Sequence, residues 1–205
     1  MKRYISIFTL ILMAALSFNV AGAESVSQIL NSSANKIKSA KSLIASYTIT
    51  ADGHSQSGIM TISGERFTIS SPQMVSWFDG KTQWTYSAHS GEVNMTEPTA
   101  EELQQINPFA IIRSFNNRYK AQLLKSPAGS KKIRLTALSP KSDIKGVVLT
   151  LNAKTLFPTH IDLTMSNNQN VSIAISRVEE GSTLPMSHFR FDAKKYPGVE
   201  VIDLR

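Results

Sequence analysis

At 205 residues, with a formal net charge of +7 and 41% apolar residues, the chain can build one domain with a sizeable core but not two comfortable ones. It has no cysteine, which excludes disulfides, thiolate metal sites and a lipid anchor of its own. Its lysines stand singly, Lys131-Lys132 and Lys194-Lys195 being the densest pairs, so a solvated surface reads as well as a patch for anionic lipid or acidic protein.

The chain opens with Met1-Lys2-Arg3, an apolar run from Tyr4 to Leu16, and Phe18 to Ala23 ending in Ala21-Gly22-Ala23. A basic start, an apolar stretch too short for a span and a small-x-small end predict a signal peptide over 1–23, cleaved after Ala23. The mature chain, 24–205, is expected to be one exported domain with a net charge of +5 once Lys2 and Arg3 are gone. Export makes nucleic acid the least expected partner.

Val26, Ile29, Leu30, Ile37, Ala40 and Ile44 recur at helical spacing, which predicts an amphipathic helix over 25–45. From Ser46 the period becomes two. Runs near 47–50, 58–63, 67–70, 74–78, 83–87 and 92–96 alternate with turn signals such as Asp52-Gly53, Gly64-Glu65 and Asp79-Gly80-Lys81, predicting an antiparallel meander. Thr99 and Glu102 then form a capping box, and Leu103, Ile106, Phe109, Ile112 and Phe115 follow at near-helical spacing, broken into two short helices at Pro108. Beyond Asn117 the alternation is cleanest: Ile133, Leu135 and Ala137, then Ile161, Leu163 and Met165, then Val171, Ile173 and Ile175, each with polar neighbours. The predicted fold is mainly β with a few helices: a curved antiparallel sheet or open barrel, one opening covered by helices.

Enzymatic readings find little support. His54, His89, His160 and His188 are isolated, without a second ligand at zinc spacing. The stretch Gly53-His54-Ser55-Gln56-Ser57-Gly58 lacks a serine with glycine two residues away on both sides, as a nucleophile elbow needs. Glu101-Glu102 and Glu179-Glu180 are adjacent pairs that point apart. No phosphate-cradling glycine loop is present. Neither catalytic residues nor a metal or cofactor is expected.

Four stretches, in order, carry a resemblance: the first helix with Tyr47-Thr48-Ile49; the strands up to Ser71-Pro72; Trp77-Phe78-Asp79-Gly80-Lys81-Thr82-Gln83-Trp84-Thr85-Tyr86; and Phe189-Arg190-Phe191 with Tyr196 to Asp203. With Asn107-Pro108-Phe109 opening a hydrophobic helix, they resemble the periplasmic outer-membrane lipoprotein carrier family, LolA. That resemblance implies an unclosed β-barrel with a helical lid over a hydrophobic cavity that holds the acyl chains of lipoproteins crossing the periplasm. It implies a monomer that receives cargo from an ATP-driven inner-membrane release complex and passes it to an outer-membrane acceptor. Lid residues would be Leu103, Ile106, Phe109, Ile112 and Phe115. The concave sheet face would carry Ile62, Phe67, Ile69, Trp77, Trp84 and Tyr86. Met60, Met74, Met95 and Met165 lie in or beside strands, where methionine suits exchangeable contacts or ordinary core filling.

One departure stands out. Family members latch the lid with an arginine just before the aromatic third strand, where this chain reads Ile62-Ser63-Gly64-Glu65-Arg66-Phe67. Ser63 takes the aligned place, which leaves Arg66 as the candidate latch. Rival readings are a lipid-binding sensor of envelope stress, a secreted hydrolase with a non-standard site, and a structural β-domain with a filled interior.

Overall fold

The computed structural model describes residues 24–107 and 109–205, so the expected signal peptide and the break at Pro108 lie outside the described residues. Helix α1, Val26–Ser39, starts at a capping box in which the Ser25 hydroxyl accepts from Gln28 N–H and the Gln28 side chain accepts from Ser25 N–H. Its Ile29, Leu30 and Ile37 are buried. The helix stops short of the expected 45 because Ala40 turns extended and strand β1, Ser42–Ala51, begins. Two neighbouring strands offer β1 a hydrogen-bond ladder, and period two then sends Leu43 and Ala45 inward and Ile44, 39% exposed, outward.

The meander follows as β2 His54–Ser63, β3 Arg66–Ser70, β4 Met74–Phe78, β5 Gln83–Ser87 and β6 Glu92–Thr96. Two helices come next, α2 Ala100–Ile106 and α3 Phe109–Arg118. Thr99 and Glu102 form the capping box of α2. The second meander is β7 Tyr119–Leu124, β8 Ser130–Ala137, β9 Ile144–Asn152, β10 Pro158–Met165 and β11 Asn170–Gly181, and the chain ends with β12 Glu200–Asp203.

All twelve strands form one sheet in the order β12-β6-β5-β4-β3-β2-β1-β11-β10-β9-β8-β7. Pairing of β1 with β11 splices the two meanders, and β12 and β7 are left as separate edges, so the barrel is unclosed. Bulges at Ser46/Tyr47, Pro158/His160 and Thr164/Met165 help the sheet to bend. Every pair is antiparallel except β12 with β6, which the sequence did not announce.

The three helices cover the inner face. One buried cluster joins Ile29, Leu30 and Ile37 of α1 and Ile111, Ile112 and Phe115 of α3 to inward residues from β1 through β3 and β8 through β11. Beneath them Phe67 stacks on Phe78 at 5.1 Å.

The outer face of β3 to β6 carries a second apolar layer supplied by the C-terminal segment. Phe189 is fully buried there, with the Arg66 guanidinium 5.0 Å from its ring centre. Trp77 meets Phe191 and Tyr196 edge-on, and Tyr86 meets Tyr196 at 4.9 Å. Asp79, in the β4–β5 turn, clamps this segment: its Oδ1 accepts from Lys81 and Thr82 N–H, and its Oδ2 accepts from Arg190 Nε at 2.8 Å.

Partial burial pushes the Asp79 pKa up, but the two backbone N–H groups and Arg190 outweigh it and hold the carboxyl below the usual range. A depressed carboxylate contributes stability above its unfolded pKa and loses it as pH falls through the folded one. Asp79→Asn is therefore expected to lower Tm at pH 6, with the gap from the native chain closing below about pH 4. A gap that is the same at both pH values would show that ionisation of Asp79 is not what holds the segment.

Candidate functional site

Between the inner face and the helices lies a cavity of about 290 Å³. Period-two geometry selects its walls: Ala45, Tyr47 and Ile49 from β1, Gln56 and Met60 from β2, Ile69 from β3, and Ile173 and Ile175 from β11. Ile106 of α2 and Phe109 of α3 close it from above. Met74 and Ser76 of β4 and Gln83 and Thr85 of β5 complete one side. None of the lining residues carries a charge.

Tyr47 lies across Gly58, its cross-strand partner on β2. A Cβ there would come within 2.5 Å of the tyrosine hydroxyl and 2.3 Å of the Ser70 carbonyl oxygen. Only glycine lets the ring lie flat, and burial raises the Tyr47 pKa, so its hydroxyl stays neutral.

Of the expected lid residues, Ile106 and Phe109 line the cavity, Ile112 and Phe115 are buried in the core, and Leu103 packs against it half-buried. On the sheet, Ile69 lines the cavity, and Ile62 and Phe67 are buried on the same face one pair away. Trp77, Trp84 and Tyr86 face the other way. Ser76, Gln83 and Thr85 take the inward positions, and the three aromatic residues look outward, Trp77 and Tyr86 onto the C-terminal layer. Of the methionines, Met60 and Met74 line the cavity and Met165 packs half-buried on the core, whereas Met95, paired with Trp84, points outward.

Arg66, adjacent to inward Phe67, also points outward. Its guanidinium bonds Ser63 Oγ and Met186 Sδ and covers Phe189, with no contact to α2 or α3 among its hydrogen bonds. The arginine that joins cover to sheet is Arg113 of α3, whose Nη1 donates to the Gly64 carbonyl at 2.7 Å and meets Glu65 Oε1 at 3.1 Å. Gly64 holds a left-handed φ of 59° in the β2–β3 turn, which presents that carbonyl. The helices are also tied to each other: Gln104 Nε2 donates to Ser114 Oγ, and the Tyr119 hydroxyl donates to Gln104 Oε1.

On the outer face His160, Asp162 and Ser172 cluster, a composition that invites a hydrolase reading. The ring uses one nitrogen for both partners: Nε2 is 2.9 Å from Ser172 Oγ and 3.1 Å from Asp162 Oδ1, and the serine also donates directly to that carboxylate. A proton relay needs serine and acid on opposite ring nitrogens, so this triangle is not a triad. Among the described residues no three His, Asp or Glu side chains stand together as a metal site, and no helix is long and apolar enough to cross a membrane.

Residues 16–169, well over half of the chain, match the family model described as outer membrane lipoprotein carrier protein LolA. No curated protein sequence matches significantly. Among solved structures, an uncharacterized conserved protein from Thermus thermophilus is similar at 9% identity and TM-score 0.59, over 86% of this chain and 98% of that one. A DUF1329 family protein from Desulfovibrio piger follows at 10% identity and TM-score 0.50, over 82% and 98%. A LolA superfamily protein from Nitrosomonas europaea has 13% identity and TM-score 0.44, over 82% and 98%. At such identities the first two likenesses speak for the fold alone.

Proposed function

The chain belongs to the outer membrane lipoprotein carrier protein LolA family, and from that premise we propose that it is a periplasmic carrier of lipoproteins, exported by a cleaved signal peptide over 1–23 and working as a single domain over 24–205. The observation that carries this reading is the uncharged cavity between an unclosed sheet and a helical cover. In water, an acyl chain of about 14 methylenes costs on the order of 11 kcal/mol at ~0.8 kcal/mol per methylene, and a lipoprotein carries more than one such chain. A carrier must cover that surface reversibly. Ile106, Phe109, Ile112 and Phe115 would act as a lid, with Ile69, Met60 and Met74 as adaptable floor.

Cargo would come from an ATP-driven inner-membrane release complex and pass to an outer-membrane acceptor. Binding, not catalysis, is the activity: the cavity lining offers no acid, base or nucleophile paired for chemistry. The test incubates the mature protein with spheroplasts making labelled lipoproteins. We expect those lipoproteins in the supernatant, bound to the protein. Release no greater than with buffer would refute the carrier reading.

A further inference from the structure

The cavity is apolar around most of its wall and polar on one side, where Ser76 and Thr85 form a cross-strand pair on β4 and β5 beside Gln83. Gln83 Nε2 donates to Ser76 Oγ at 2.9 Å and to Thr85 Oγ1 at 3.1 Å, and the two hydroxyls are 3.1 Å from each other. Hydrogen counting shows what is left over. The amide spends both of its hydrogens on the two hydroxyls, and the hydroxyls need only one of theirs for their mutual bond. One hydroxyl hydrogen stays free among the described residues. Gln83 Oε1 also accepts no hydrogen bond among the described residues, although Gln83 is only 7% exposed. No buried side-chain polar atom among the described residues lacks a partner, so this oxygen, at the mouth toward the groove, is reached by water, which a ligand group able to bond the same valences can displace.

Their position is informative. Gln83, Gln105 and Ile106 line both the cavity and an adjoining polar groove of about 540 Å³, whose walls include Glu97, Glu102 and Arg205. The polar corner therefore stands where the apolar chamber opens toward a charged exit.

We infer that Ser76, Gln83 and Thr85 bind the neutral ester or amide junction of an acylated ligand, whose hydrocarbon fills the cavity and whose head group leaves by the groove. This rests on the carrier reading and sharpens it: the ligand class is a neutral acyl ester or amide, and a free fatty acid is disfavoured. An ionised carboxylate at this corner meets no cation, because no lining residue of the cavity is charged, and an unpaired buried charge is expensive.

The test measures binding of three pyrene-labelled probes of equal chain length to the mature protein: a monoacylglycerol, the free fatty acid at pH 7.5, and an alkane. A triple variant, Ser76→Ala with Gln83→Met and Thr85→Val, removes the corner while leaving no member unpaired, and Thr85→Val alone is the gentler version. The native chain should bind the ester at least about tenfold tighter than the acid. The triple variant should lose about three- to tenfold for the ester and nothing for the alkane, with Thr85→Val in between. Equal changes for ester and alkane, or an acid bound as well as the ester, would overturn the junction site while leaving the cavity standing. Failure of the native chain to take up any probe, the alkane included, would remove the cavity reading itself and this inference with it.

Discussion

Ala45→Phe is expected to weaken acyl-probe binding by on the order of a hundredfold while leaving Tm unchanged or slightly raised. Ala45 is buried on β1, opposite Met60 of β2 and Val178 of β11, and its methyl group faces the cavity. A benzyl group there projects into existing free space rather than into packed neighbours, so filling it adds apolar contact to the folded chain. The same atoms exclude ligand. Loss of room for about four methylenes removes about 3 kcal/mol of burial, which is the hundredfold. Ile44→Phe, one residue away and on the outer face, should leave binding untouched. Equal affinity for both variants and the native chain would mean that acyl chains do not enter this cavity.

That contrast between residues 44 and 45 also marks how far the sequence could be read. Strands with one wet face were legible, since Ile133 and Leu135, Ile161 and Leu163, and Ile173 all lie in the buried core as their alternation requires. The β4–β5 hairpin was not, because both its faces are covered. Phe78 goes under the helices, and Trp77 goes under Phe191 and Tyr196, which arrive from more than 110 residues later in the chain. Local periodicity then gives one aromatic face and one mixed face, and no sign that the mixed one is inside. The resemblance implies Trp77, Trp84 and Tyr86 as lining, whereas the inward positions hold Ser76, Gln83 and Thr85.

The boundary of α1 was lost for a related reason. Ala40 and Ile44 continue the helical stripe until β2 and β11 are present to pair with the residues that follow Ala40, Ile44 among them. The cover helices were legible from the Thr99–Glu102 capping box and the apolar spacing of 103–115, but their fastening was not. On a helix Arg113 reads as a solvent position between Ile112 and Phe115, and only the tertiary fold brings the Gly64 carbonyl to it.

Arg113→Met should therefore do two things that a solvent arginine would not. Its side chain is 15% exposed, against 69% for Glu65, so the bond that matters is the charged one to the Gly64 carbonyl rather than the ion pair. A hydrogen bond from a charged group contributes about 1.5–3 kcal/mol, and methionine keeps most of the apolar stem. Tm is expected to fall by about 4–8 °C, whereas Glu65→Gln should lower it by no more than about 2 °C. The second effect is kinetic. If α3 must swing off the β2–β3 turn for ligand to leave, loss of about 2 kcal/mol from the closed state raises the open population by up to about thirtyfold, and probe dissociation accelerates in proportion. Amide exchange in 109–118 should rise with it. A lower Tm with unchanged dissociation would mean that Arg113 braces the fold but does not gate the cavity, and ligand would then have to leave past Gln83 and Gln105 without α3 moving.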